Sequence, residues 1–519
     1  MSDPILSGVT ASSIKAPEIV CITGVEPEVH AYAMAKYSRS SLSMKTSLDE
    51  ISSQRAEEFL STFYFQYGHR SIADLAHLSF SIEKLSMLAA IIVVDEQRWD
   101  GQERSSRYQN FRKSGFYMPE FSTERLADDY RALIEKLFLL YERVSTEALE
   151  KLASATPRPN DMSEEQYRRT LKARAFDIAR YLLPLATMTS VGQIVNARTL
   201  AQQISRLASS QYEEVVGIAD GLRTSASKPP YDLRSSKLSA LLETYADQIP
   251  EAVMHALREQ IRNGPAAPTL VKYTTPKAHN EASRTAASSL YKELLGHVSI
   301  ETVDTVELVE PPSLEIEVLA TCLYEVGKHS YKQIIEVVKS LPADRRTEML
   351  AQVSRGRLAH DEVRRTFASG YRFQFDILMD VGGFRDMHRH RRCIQIVQEL
   401  TPLHGYAIPD QVKSMGEEQS FVKLFNEITT FWNQLQTENL NERANADYLL
   451  PLACKRRSLF KMDLAEAAYI CELRTGPAGH FSYRQVAFEM FEKLQAVEPG
   501  LAAYVRVTKP SDADDLLKR

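Results

Sequence analysis

Cysteine is scarce. The 519 residues hold 5, an odd number, at Cys21, Cys322, Cys393, Cys454 and Cys471, with no Cys-x-x-Cys spacing. That excludes a disulfide framework and suits a reduced compartment. No apolar run approaches the roughly 20 residues that span a bilayer, so no membrane partner is expected. The opening Met-Ser-Asp-Pro-Ile-Leu-Ser-Gly has neither a charged start nor a long apolar core; no signal peptide is expected, and the expected localisation is cytoplasmic. An excess of one charge is missing too. A net charge of −5, with 44% apolar and 25% charged residues, fits an ordinary globular chain and argues against a general nucleic-acid binder. Length alone allows roughly three to four domains.

The densest cationic run in the chain is Met387-His-Arg-His-Arg-Arg392, at the end of an apolar stretch from Phe373 to Phe384. Three arginines within four residues repel one another unless water or an anion sits among them. Guanidinium forks grip phosphate, pyrophosphate or carboxylate oxygens. Taken alone, the run reads equally well as a solvated basic turn. His388, His390 and His404 have no carboxylate or cysteine at ligand spacing, so no metal site is read.

An internal repeat organises the chain. Tyr181-Leu-Leu-Pro-Leu-Ala186 recurs as Tyr448-Leu-Leu-Pro-Leu-Ala453, with Ala179 and Ala446 two residues earlier. Ala33-Met-Ala-Lys-Tyr37 has a looser echo in Ala320-Thr-Cys-Leu-Tyr324. Each follows a strand-like run, Ile19-Val-Cys-Ile22 and Val306-Glu-Leu-Val309. The expected fold is therefore α/β (α+β), two tandem copies of one domain. The boundaries read as 1–225 for the first copy, 226–300 for a helical linker and 301–519 for the second. The first copy is longer between Asp95 and Pro184 than the second between Arg389 and Pro451. The surplus, around 122–174, keeps helical spacing and reads as an inserted helical hairpin.

Further polar motifs punctuate the copies. Gly68-His-Arg-Ser71 opens a helix, Gln102-Glu-Arg-Ser-Ser-Arg-Tyr108 sets hydroxyls beside arginines, and Arg180 precedes Leu-Leu-Pro. Val195-Asn-Ala-Arg198 leads into a long helix. In the second copy the matching segment from Asp463 ends in Leu473-Arg474 before Gly476. Each motif has a plain structural reading as well, as a polar turn, a helix cap or a charge at a helix end.

As an ordered set, these segments resemble the flavin-dependent thymidylate synthases. That family carries a Gly-His-x-Ser/Thr helix start, an Arg-His-Arg signature followed by Ser-x-Arg-Tyr, an Ala-Arg-x-x-Leu-Pro segment and a Val-Asn-Ala-Arg helix ending in Leu-Arg. The resemblance spans both halves and implies mixed or antiparallel sheets flanked by long helices. The copies depart from it in complementary ways. The first has Asp95-Glu-Gln97 in place of Arg-His-Arg but keeps Ser105, Arg107 and Tyr108. The second keeps Arg389-His-Arg391 but has Glu399 and Thr401 farther on, Asp447 for Arg180 and Asp463 for Asn196. Arg206 is an uncertain equivalent of Arg474.

The resemblance implies one composite site. Its nucleotide ligands would be Glu103, Ser105, Ser106, Arg107, Arg180, Arg389 and Arg474. Ser71, Glu103, Asn196, Arg198, Thr366, Arg389, His390 and Arg391 would bind FAD. The opposite pairing would gather Asp95, Glu96, Glu399 and Asp447, acids that repel a nucleotide by about 1–4 kcal/mol per close charge pair. The implied reaction methylates C5 of dUMP with methylenetetrahydrofolate and reduced FAD, NADPH recharging the flavin and Arg474 stabilising charge on the pyrimidine. A homodimer would take the place of the family's tetramer. Two other readings remain open: flavin-dependent modification of a different pyrimidine nucleotide, and a non-catalytic nucleotide or RNA binder.

Overall fold

The computed structural model describes residues 24–36, 48, 70–111, 114–259, 261, 264–272, 274–358, 361–513 and 517. They fall into two compact units. One comprises residues up to Ala76 together with Lys228–Thr269, the other His77–Ser227 with Leu270–Arg519. The first unit holds the helix Pro27–Lys36, a 3-10 turn over Arg70–Leu75 and the helices Leu233–Thr244 and Glu251–Glu259. The expected strand Ile19–Ile22 and the start of the Gly-His-x-Ser motif, Gly68 and His69, lie outside the described residues.

The second unit contains most of both copies. Its strands are β1 (His77–Ser86), β2 (Asp100–Glu103), β3 (Met188–Asn196), β4 (Val306–Val309), β5 (Phe373–Asp380), β6 (Ile394–Val397) and β7 (Lys455–Met462). They form two antiparallel sheets, ordered β1-β3-β2 and β4-β5-β7-β6. Strand, helix, short strand, helical hairpin, strand and two helices recur in the same order in each. β5 is buried along almost its whole length, as a central strand requires, and its Asp380 caps the helix Val381–Met387. Ser86 caps the matching helix Met87–Val93.

The repeated Leu-Leu-Pro segments are the seam between the copies. Leu185 N–H donates to Leu450 O at 2.9 Å and Leu452 N–H to Leu183 O at 2.9 Å; Ala186 and Ala453 do likewise to Tyr448 and Tyr181, at 2.7 and 3.0 Å. Pro184 faces Pro451 at the centre. The pairing is isologous, the pattern of a two-fold dimer written into one chain. Proline has no N–H, so a centre with no donor to satisfy is where it costs least.

The extra length of the first copy is not a new hairpin. Both copies have one: Glu124–Ala155 and Glu164–Ala179, of 32 and 16 residues, against Glu418–Leu435 and Leu440–Ala446, of 18 and 7. The first copy lengthens both arms, with Ser163 and Gln166 making a capping box at the second. Downstream, the helix Ala278–Leu295 buries Ala287, Leu290 and Leu295 in the second copy's core. Among the described residues no helix is long and apolar enough to cross a membrane.

Candidate functional site

Caps set the register of the functional helices. Asn196 accepts from Thr199 N–H to start Ala197–Leu207, and Asp463 accepts from Glu466 N–H to start Leu464–Arg474. Asn196 therefore spends its carbonyl on a helix end. Aspartate does the same work in the second copy, so this departure from the motif loses no structure. Both helices run 11 residues from their caps, which puts Arg474 and Leu207 at equivalent ends. Leu207 is fully buried, and Arg206 reaches instead to Glu96 Oε1 at 2.9 Å and Ile92 O at 2.9 Å. Arg206 is not the counterpart of Arg474.

Around Arg474 the two copies meet. Arg474 Nε donates to His390 Nε2 at 2.8 Å, and its guanidinium lies 5.5 Å from the Tyr483 ring centre. From the first copy, Arg107 lies 6.0 Å from the same ring and donates to Tyr483 Oη at 3.2 Å. Arg107 is otherwise closed by Asp177, at 2.7 and 3.0 Å, and donates to Ala478 O at 3.2 Å. Burial works against the Asp177 carboxylate, yet the hydrogen bond and charge of Arg107, with the charge of Arg180, outweigh it and bring its pKa to about 2. His480 Nε2 pairs with Asp177 O at 3.0 Å while Nδ1 accepts from Ser482 N–H at 3.2 Å. Burial and Arg180 keep that imidazole neutral.

Arg180 behaves differently. It is 2% exposed; its Nη1 stands 3.6 Å from Asp386 Oδ2, and its Nε and Nη2 find no hydrogen-bond partner among the described residues. Arg385 pairs with Glu103, and Arg391 stacks its guanidinium 4.4 Å from the Trp99 ring centre of the first copy. Nε of Arg385 and of Arg391 is likewise without a partner among the described residues. Buried guanidinium hydrogens left over beside a helix such as Val381–Met387 suit phosphate or pyrophosphate oxygens.

The other expected site residues are dispersed. Arg389 is exposed. Ser105 Oγ accepts from Arg107 N–H at 3.3 Å and Ser106 is buried. Arg198 pairs with Glu362 at 3.3 Å, Thr366 is buried in the 3-10 turn Arg365–Phe367, and Ser71 belongs to the other compact unit. Asp177, His480, Tyr483 and Glu466 escaped the sequence reading, because no motif spacing marks them. His480 alone had a local signal, as the residue opening a helix after Gly476-Pro-Ala-Gly479.

The acids of the opposite pairing are not left unpaired. Asp95 binds Arg365 at 2.6 Å, Glu96 binds Arg206, Glu399 pairs with Arg284 at 3.2 Å, and Asp447 accepts from Tyr212 Oη at 2.7 Å and Trp432 Nε1 at 2.9 Å. Each acid has its own partner. Where the first site has Arg107, Arg180, Arg474 and Tyr483, the second has Thr401, Asp447, Leu207 and Val215, placed by the helix caps. A groove of about 910 Å³ between Glu124–Ala155 and Glu418–Leu435 is lined by none of these residues.

A family model described as thymidylate synthase complementing protein, Thy1, matches residues 21–227 and, a second time, 317–500. The chain belongs to the Thy1 family. It is a tandem-duplicated, flavin-dependent thymidylate synthase-like protein, with the Thy1 domain written twice. A UPF0159 protein of Chlamydia muridarum is 26% identical over 94% of this chain and 92% of its own length. The UPF0159 protein Ta1429 of Thermoplasma acidophilum is 24% identical over 92% of this chain and 95% of its own. A crystal structure of Thymidylate Synthase X from Helicobacter pylori with FAD and dUMP aligns with 46% of this chain and 96% of its own, at 13% identity and a TM-score of 0.26, too low to add to the assignment. The buried thiols of this Thy1 protein are unsuited to nucleophilic work: burial raises Cys322 to about 11 and Cys393 and Cys471 to about 12.

Proposed function

We propose that the chain is a methyltransferase that forms dTMP from dUMP with methylenetetrahydrofolate and NADPH, at one composite site per chain, each copy forming one domain. The observation that carries this is the single Tyr483 ring flanked by Arg107 of one copy and Arg474 of the other. Bound FAD would supply the hydride. Arg474 would bind the pyrimidine and stabilise charge developing at N3 and O4, a preorganised contribution of about 3–4 kcal/mol. Arg180, with two donors to spare, is the main phosphate ligand, joined by Ser105, Ser106 and Arg389. Arg391 and Arg385 would meet the cofactor's pyrophosphate, with Glu103, the partner of Arg385, beside them. Arg107, closed by Asp177, holds Tyr483 rather than phosphate.

Purified protein should be yellow and should oxidise NADPH in a dUMP- and folate-dependent way, with dTMP detected by chromatography. A colourless protein that binds no dUMP in calorimetry would overturn the proposal. The closure of Arg107 by Asp177 withholds one cation from the phosphate whichever pyrimidine is bound, so modification of a different pyrimidine nucleotide is the second reading beside dUMP. Competition between dUMP, UMP and dCMP separates the two readings.

A further inference from the structure

The aim of Arg474 is set by side chains outside the signature. A guanidinium Nε always carries its hydrogen, so the 2.8 Å contact makes His390 Nε2 the acceptor. The ring proton must then sit on Nδ1, which faces Glu466 Oε1 at 3.3 Å. The imidazole and the carboxylate are enclosed, His390 being 5% and Glu466 3% exposed, while Arg474 is half-buried. In the first copy the residue at Glu466's place, third from the cap, is Thr199. We propose that Glu466 is a positioning residue, whose carboxylate holds His390 as the neutral Nδ1–H tautomer and thereby fixes the aim of Arg474.

The relay stands on geometry; only its consequence for nucleotide binding rests on the proposed function. Protonating His390 would turn its acceptor into an N–H pointing at the Arg474 N–H, so the contact is lost on acidification. The groups facing the ring are Glu466, Arg474 and Tyr469 from the helix Leu464–Arg474, and Arg391 from its own loop. Arg392 stands 3.9 Å from Glu466 Oε2 and 3.5 Å from Asp463 Oδ2. Burial lowers the pKa of His390, Glu466 opposes it, and Arg474 and Arg391 add to the lowering. Removing the carboxylate's charge should therefore lower it further.

The test uses the full chain with ¹³C-labelled histidine rings, the His390 signal assigned by its loss in His390→Gln. Wild type should show the Nδ1–H tautomer and a midpoint below the ordinary value of about 6.5. Glu466→Gln should move that midpoint down by about 1–3 pH units, the usual effect of an adjacent opposite charge. In parallel, dUMP affinity should fall with the His390 midpoint in wild type. Glu466→Ala should lose at least about tenfold in affinity near pH 8, and Glu466→Gln, which keeps the acceptor, should recover most of it. An Nε2–H tautomer, or a midpoint unmoved by Glu466→Gln, would overturn the relay. If the titration follows Glu466 but dUMP binds at no pH, the relay stands and the nucleotide reading falls.

Discussion

Arg107 and Arg180 are both buried guanidiniums beside carboxylates, and they should respond oppositely to truncation. Breaking the Arg107–Asp177 pair strands a buried charge, a loss of about 3–5 kcal/mol. Arg107→Ala should show it as a lowered denaturation midpoint at pH 7. Asp177 has a folded pKa near 2, below its ordinary 3.8, so its contribution is present above about pH 4 and lost as pH falls toward 2. The gap between wild type and Arg107→Ala should therefore close between pH 4 and 2. Arg180 has donors to spare, so Arg180→Met should leave the melting temperature unchanged or raised. The same change should weaken dUMP binding about ten- to a hundredfold, one charged hydrogen bond lost. Equal losses of stability in both variants would mean that Arg180 is structural.

At the scale of elements, the copies keep an interaction by exchanging its ends. Ser86, a helix cap, donates to Glu214 Oε2 at 2.6 Å, while Asp380 at the same cap accepts from Ser482. The Asn196 and Asp463 caps follow the same logic. Asn196→Asp should be nearly neutral by thermal melting, whereas Asn196→Ala should cost about 0.5–2 kcal/mol. Asp447 ties the helix Glu418–Leu435, through Trp432, to Tyr212 at the start of Glu213–Ala226. Burial raises its pKa from 3.8 to about 7, against the hydrogen bonds from Trp432 and Tyr212. Its stabilisation is therefore full below about pH 4 and lost as pH rises through 7. Asp447→Asn should flatten the stability profile across that window, read as denaturation midpoints at pH 4 and 8; an unchanged slope would show that Asp447 stays ionised.

For the whole molecule, on the proposed reading, the exchanged losses leave one complete set of cations among the described residues. With Leu207 and Asp447 at the places of Arg474 and Arg180, the second pairing has neither the pyrimidine arginine nor the spare donors. We expect one flavin and one nucleotide per chain, two of each in a homodimer, measured by flavin absorbance against protein concentration with light scattering for mass. Two flavins per chain would contradict the division of labour.

The sequence by itself determined the duplication and the complementary decay of its motifs. Repeats such as Leu-Leu-Pro and losses such as Asp95-Glu-Gln97 are written in residue order and need no coordinates. The helical spacing around 122–174 was legible as well, because 3.6-residue periodicity is local, although residue order did not show that both copies carry the hairpin. Only the tertiary structure decided that Leu-Leu-Pro is the seam, that each acid of the opposite pairing has its own partner, and that Arg107 is closed while Arg180 is not. The closure of Arg107 hangs on Asp177 and Tyr483, which meet it across 70 and 376 positions of chain. No local pattern records such a meeting, since packing between copies sets which charge reaches which fork.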